Sequence, residues 1–269
     1  MKSLKLQDGT LYYEEKGAGP SLVLLHAGIA DSRMWQAQFD PFAEHFHTVR
    51  CDLRGYGSSP LPDGPFSYSE DVLALVEALD LAPVWLIGAS FGAQVAVDFY
   101  LSYPNRVRGL VLVAPVVSGF EPSGEVEQFN RQEEALLDEG KLAEATELNL
   151  RMWVDGPYRA REEVDPAVRN RVAEMQFQAF SQPVPENAAL LKLSPPAMDR
   201  LAEIHVPLLV IAGELDVPAF VLFSETLADQ VPGAKRVVIP GTAHMVSMEV
   251  PAVFNQLVLA FISTSERSE

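Results

Sequence analysis

Short, continuous apolar runs recur along this chain, with helical patterns between them. They include Leu22-Val23-Leu24-Leu25, Val84-Trp85-Leu86-Ile87 and the stretches at 107–114 and 206–212. A run with no polar alternation suits a strand covered on both faces. The intervening patterns predict helices at about 32–43, 68–79 and 91–103, and a further strand at about 46–52. Strands and helices in alternation imply βαβ units, and hence a mostly parallel central sheet with helices on both faces. At the front, residues 4–14 alternate around Asp8-Gly9, which predicts a β-hairpin.

The alternation breaks after Val117. No strand is expected between 118 and 204, and the pattern there predicts helices at about 124–139, 141–153, 165–180 and 186–193. Gly140, Gly156-Pro157, Pro183 and Pro185 punctuate them. The βαβ pattern resumes with a helix at 219–230, a strand at 235–239 and a closing helix at 252–262. The expected organisation is an α/β core made of 1–119 and 204–269, interrupted by a helical insertion at 120–203. Ligands of open α/β sheets bind at the carboxyl edge of the strands, where such an insertion would act as a lid.

Charge narrows the partners. The 269 residues hold 37 acidic against 20 basic side chains, a formal net charge of −17. A surface of that sign repels nucleic acid and anionic membranes. Residues 121–203 carry 17 acidic and 9 basic side chains, so the insertion holds a large share of the excess. An acidic outer face there would admit neutral substrates more easily than anionic ones. No apolar run follows Met1-Lys2-Ser3-Leu4-Lys5, so no signal peptide is expected, and no run is long enough to span a bilayer. The single Cys51 sits among strand residues and reads as a buried core thiol. It excludes an internal disulfide and fits a reducing compartment, so a cytoplasmic location is expected.

The strongest chemical feature is Gly88-Ala89-Ser90-Phe91-Gly92, between a buried strand and a helix. A serine on so tight a turn projects its hydroxyl above the sheet edge, and the flanking glycines leave room where strand and helix nearly collide. The helix amino end beside it favours a developing oxyanion. The hydroxyl needs a base. Of five histidines, His45, His47 and His205 lie at the opposite edge and read as surface or satisfied polar residues. His244, in a loop after the last strand, and His26, at the end of the 22–25 run, remain. The loop at His244 leaves room to reach Ser90, whereas His26 leads into Ala27-Gly28, which reads as a backbone-donor loop. An acid to orient the base is available in Gly213-Glu214-Leu215-Asp216, with Asp216 preferred to Glu214. The expected oxyanion donors are the N–H groups of Phe91 and Gly28, with Ala27 next.

With these motifs in order, the chain resembles the α/β-hydrolase superfamily over nearly its whole length. The resemblance rests on His26-Ala27-Gly28 with Met34-Trp35, Asp52-Leu53-Arg54-Gly55-Tyr56-Gly57-Ser58-Ser59, the Ser90 turn, Gly213-Glu214-Leu215-Asp216 and Gly241-Thr242-Ala243-His244. The order Ser…Asp…His is that of this fold. Members usually carry a glycine where Ala27 stands, which leaves Gly28 as the matching donor. The resemblance implies a loop-holding role for His26 and a purely structural turn at 52–59. It implies no metal and no cofactor. Haloalkane dehalogenases and epoxide hydrolases place aspartate at the elbow, so Ser90 argues against both.

The expected activity is hydrolysis of a small carboxylic ester or lactone by a carboxylesterase-like serine hydrolase, with Ser90 as nucleophile. A histidine base makes the rate fall as pH drops through the ordinary histidine range, roughly 6.5. Two other readings stay open. One is carbon–carbon hydrolysis of an aromatic ring-cleavage product, for which Arg151, Arg159 and Arg161 are available to hold a carboxylate. The other is a ligand receptor on the same fold. In the insertion, Phe120, Phe129, Leu136, Leu148, Met152, Met175, Phe177 and Phe180 read mostly as packing, with some expected to line an apolar pocket. Trp153, at the start of a turn, is the candidate substrate-binding residue, as hinge or pocket wall.

Overall fold

Eight strands form one sheet in the order β1-β2-β4-β3-β5-β6-β7-β8. In the computed structural model they are β1 Lys2–Leu6, β2 Gly9–Lys16, β3 Ser21–Leu25 and β4 His47–Asp52. β5 Val84–Ala89, β6 Val107–Val113, β7 Leu208–Gly213 and β8 Lys235–Ile239 follow. The structure describes residues 1–81, 83–121 and 124–267, so 122–123 of the expected insertion and 82 and 268–269 of the expected core lie outside it. β1 and β2 make the hairpin, and β2 pairs antiparallel with β4. Every other pairing in this sheet is parallel.

The apolar runs are explained by the two faces. Leu22 and Leu24 join Trp85 and Ile87 in one buried cluster, while Val23 and Leu25 join Val84 and Leu86 in the other. Helices cover both sides, so the period of two divides one apolar run between two cores. The covering helices are α1 Gln36–Ala43, α2 Tyr68–Ala78, α3 Phe91–Ser102, α7 Pro218–Gln230 and α9 Pro251–Glu266, with the short α8 Val246–Glu249 before α9. α1 is preceded by a 3₁₀ turn at Ser32–Trp35, so the single helix expected at 32–43 is two pieces. Cys51 is buried, and burial pushes its thiol up, which keeps it un-ionised.

Between β6 and β7 lie α4 Glu125–Asp138, α5 Leu142–Asn149 and α6 Pro166–Phe180. α5 runs into a π-helical turn at Leu150–Asp155. The helix expected at 186–193 does not form. Ala189–Leu190 instead pairs in parallel with Pro65–Phe66, with Ala189 N–H donating to the Gly64 carbonyl (3.1 Å) and Leu191 N–H to the Phe66 carbonyl (2.7 Å). Ala-Ala-Leu-Leu favours a helix locally, but an available strand partner overrides so weak a preference. The expectation of no strand between 118 and 204 is corrected by the same pairing. Among the described residues, no helix is long and apolar enough to cross a membrane.

Candidate active site

β5 delivers Ser90 to the carboxyl edge of the sheet. Ser90 takes φ 50°, ψ −111°, and its N–H donates to the Val113 carbonyl at 2.8 Å. A side chain with φ > 0 is strained, and the surrounding structure has to hold it there. Both flanking glycines are required by space. A Cβ on Gly88 would overlap the Gly92 carbonyl, and one on Gly92 would overlap the carbonyls of Leu25 and His26.

His244 follows β8 by way of Gly241, which sits at φ +71°. Its Nδ1 lies 2.8 Å from an Asp216 carboxylate oxygen, and both side chains are buried. The other Asp216 oxygen accepts from the Val217 N–H at 2.7 Å. With Nδ1 donating to the carboxylate, Nε2 is left as the basic nitrogen. Glu214 turns elsewhere: its carboxylate accepts from the Gly241 N–H at 3.0 Å and so braces the turn that carries His244. Of the two acids in the motif, only Asp216 meets the imidazole.

The ring of His244 is gripped by aromatics. Trp153 lies 4.8 Å from it and Phe220 5.2 Å, centroid to centroid. Trp153 sits in the π-helical turn, and Phe129 of α4 packs edge-on against it at 5.3 Å. Trp153 thus touches the imidazole as well as the cavity.

His26 does different work. It is fully buried, its Nδ1 donates to the Ala27 carbonyl (2.8 Å) and its Nε2 accepts from the Leu53 N–H (2.9 Å). Burial lowers its pKa, so it stays neutral. This fixes the loop bearing Gly28, whose Cα side faces Phe91: an added Cβ would lie 3.3 Å from the Phe91 Cβ. Among the described residues, neither the Gly28 nor the Phe91 N–H has an acceptor in the protein. Asp52 accepts from the N–H groups of Ser32 (3.0 Å) and Ser58 (2.8 Å), so it braces two loops.

Ser90, Gly28, His244 and Trp153 line one cavity of about 270 Å³. Phe129 and Phe180 also line it, whereas Phe177 points to solvent and Phe120 packs on Phe223. Four polar lining residues were not singled out from the sequence: Tyr56, Glu133, Asn149 and Gln176. Tyr56 lies in the turn read there as purely structural. The others sit on helices whose polar residues look like ordinary solvated faces. The arginines available for a carboxylate ligand lie outside the cavity lining. Arg151 is exposed, and Arg159 is held by Glu249 (2.5 Å) and the carbonyls of Val154 (2.6 Å) and Asp155 (2.9 Å).

The chain has relatives among known proteins. The chain is 32% identical over 268 residues to a pimeloyl-[acyl-carrier protein] methyl ester esterase of Pectobacterium atrosepticum, covering 93% of this chain and 98% of that protein. A hydrolase from Pseudomonas aeruginosa PA01 superposes with TM-score 0.79 at 28% identity, with 97% of each chain covered. A solved structure described as Est816, an N-acyl homoserine lactone degrading enzyme, superposes with TM-score 0.76 at 27% identity, covering 97% of this chain and 100% of that one. The sequence profile of the alpha/beta hydrolase family matches residues 22–257. This chain belongs to the alpha/beta hydrolase family.

Proposed function

We propose that this protein is a serine hydrolase that cleaves small carboxylic esters or lactones through an acyl-enzyme. One observation carries the reading: His244, whose Nδ1 donates a buried hydrogen bond to Asp216, lines the same cavity as the strained strand-to-helix serine. Ser90 Oγ attacks the substrate carbonyl, and His244 Nε2 takes its proton. The oxyanion is held by the N–H groups of Gly28 and Phe91. His244 then returns the proton to the leaving alcohol, and water repeats the sequence on the acyl-enzyme. Asp216 keeps the imidazole in the working tautomer and stabilises the imidazolium.

The helices between β6 and β7 act as the lid in this reading. They supply Phe129, Trp153 and Phe180 as apolar walls, and a cavity of about 270 Å³ suits a small substrate. The esterase and lactone-degrading relatives support the choice of ester and lactone. Replacing Ser90 with alanine is expected to lower kcat/KM for a short p-nitrophenyl ester by about 10⁴-fold or more. Turnover at the unsubstituted rate would remove the assignment.

A further inference from the structure

The cavity is apolar around His244, but one of its walls is not. Glu133 of α4, Asn149 of α5 and Gln176 of α6 all line it, so three helices each contribute one polar side chain. Asn149 Nδ2 donates to a Glu133 carboxylate oxygen at 2.5 Å and to the Ala145 carbonyl at 3.0 Å. That arrangement ties down one carboxylate oxygen and leaves lone pairs of the group free. Gln176 is 3% exposed, and its carbonyl oxygen is buried with no partner among the described residues. An orphaned buried acceptor is costly unless something else satisfies it.

Neighbouring acids make Glu133 unusual. Asp155 is paired with Arg169 at 2.9 Å, and Glu147 also reaches Arg169, at 2.8 Å. Glu249 is paired with Arg159. Among the described residues no lysine or arginine pairs with Glu133, and none lines the cavity. Burial raises the Glu133 pKa, as expected of a carboxylate without a cation. The wall therefore presents the Glu133 carboxylate with no cation to balance it, beside neutral groups only: the Asn149 and Gln176 amides and the Tyr56 hydroxyl, which burial keeps un-ionised.

We propose that Glu133, Asn149 and Gln176 form a specificity subsite that selects esters or lactones bearing an N–H donor, a protonated amine or an amide, and rejects those bearing a carboxylate. The subsite rests on the serine-hydrolase reading for its reaction, though not for its binding. A charged donor gains most from Glu133, while a neutral amide N–H is served by either acceptor.

Four p-nitrophenyl hexanoates test this, with hydrogen, ammonium, acetamido or carboxylate on the terminal carbon. The wild type is expected to favour the ammonium and acetamido esters over the carboxylate ester by about tenfold or more in kcat/KM. In Glu133→Gln the ammonium-to-carboxylate ratio falls to about threefold or less, and Gln176→Met lowers the acetamido preference. Unchanged ratios in both variants, or a wild-type preference for the carboxylate ester, overturn the subsite. So does a preference that vanishes at high salt, because a surface field is screened and a cavity contact is not. If the wild type hydrolyses none of the esters, the hydrolase reading fails, and thermal stabilisation of the Ser90→Ala protein decides the subsite alone. Stabilisation by the donor-bearing esters but not the carboxylate ester supports it, and equal shifts overturn it.

Discussion

The sheet and the helices inserted after β6 furnish the two sides of one cavity by different means. On the sheet side, position is set by backbone. Ser90, Gly28 and His244 stand on turns whose geometry is dictated by strand ends, glycines and close carbonyl contacts. On the insertion side, position is set by side chains: Trp153, Phe129 and Glu133 reach the cavity from helices held by arginine pairs and aromatic packing. The first arrangement tolerates almost no change, because an overlapping backbone cannot move aside. The second can be re-lined residue by residue. In the proposed reading, the contrast separates reaction, built on the sheet, from selection, built on the helices.

The largest effect expected from that contrast is chemical. Asp216→Asn keeps the shape of the acid but disturbs the imidazole tautomer, and kcat for an ester substrate should fall by about 10⁴-fold. A fall of less than tenfold would mean that Asp216 only braces the loop. Next comes the same change made on each side. Gly92→Ala forces a methyl group into the carbonyls of Leu25 and His26 and should cost about 3 kcal/mol or more in thermal unfolding. Gly140→Ala, at φ +71° with open space around it, should cost about 1 kcal/mol. Equal losses would erase the distinction.

Arg159→Met probes the join between the two sides. Arg159 binds Glu249, whose other oxygen accepts from the Ala243 N–H (2.9 Å) beside His244. Loss of about 2 kcal/mol is expected in a melting experiment, with kcat lowered several-fold. A lower melting temperature with unchanged kcat would show that the join does not govern His244. The smallest effect concerns Asp98 of α3, where burial raises the carboxyl to about 6 although Ser118 donates to it at 2.6 Å. The native state binds that proton more tightly than the unfolded chain. Its stabilising contribution is therefore full below the unfolded value near 4 and lost as pH rises through about 6. Asp98→Asn should gain about 1 kcal/mol relative to the wild type at pH 8 and nothing at pH 4. Equal stability at both values would mean that burying this charge costs nothing.

The sheet side was also the more legible in sequence. Continuous apolar runs announce covered strands, and Gly88 and Gly92 around Ser90 announce the tight turn, because each signal is a local backbone requirement. His244 and Asp216 could be shortlisted by their place after strands, but their mutual contact is a product of tertiary packing. Glu133, Asn149 and Gln176 carry no such mark. Their convergence depends on how three helices cross, and each looks alone like a residue facing water. The 186–193 stretch misled for a related reason: its partner strand at Pro65–Phe66 is far away in the chain.

One contact at the root of the insertion has a wider consequence. The Ser118 hydroxyl, bonded to Asp98, accepts from the Ala197 N–H at 2.9 Å, and the Ser118 carbonyl accepts from the Met198 N–H at 2.9 Å. The chain leaving β6 and the chain returning towards β7 are thus clasped side by side. A segment anchored in this way adds little closure entropy however long it grows, since that cost rises only with the logarithm of length. The insertion is in effect an exchangeable cassette. A different set of helices, or a short loop, spliced between Ser118 and Ala197 is expected to leave the register of β6 and β7 intact.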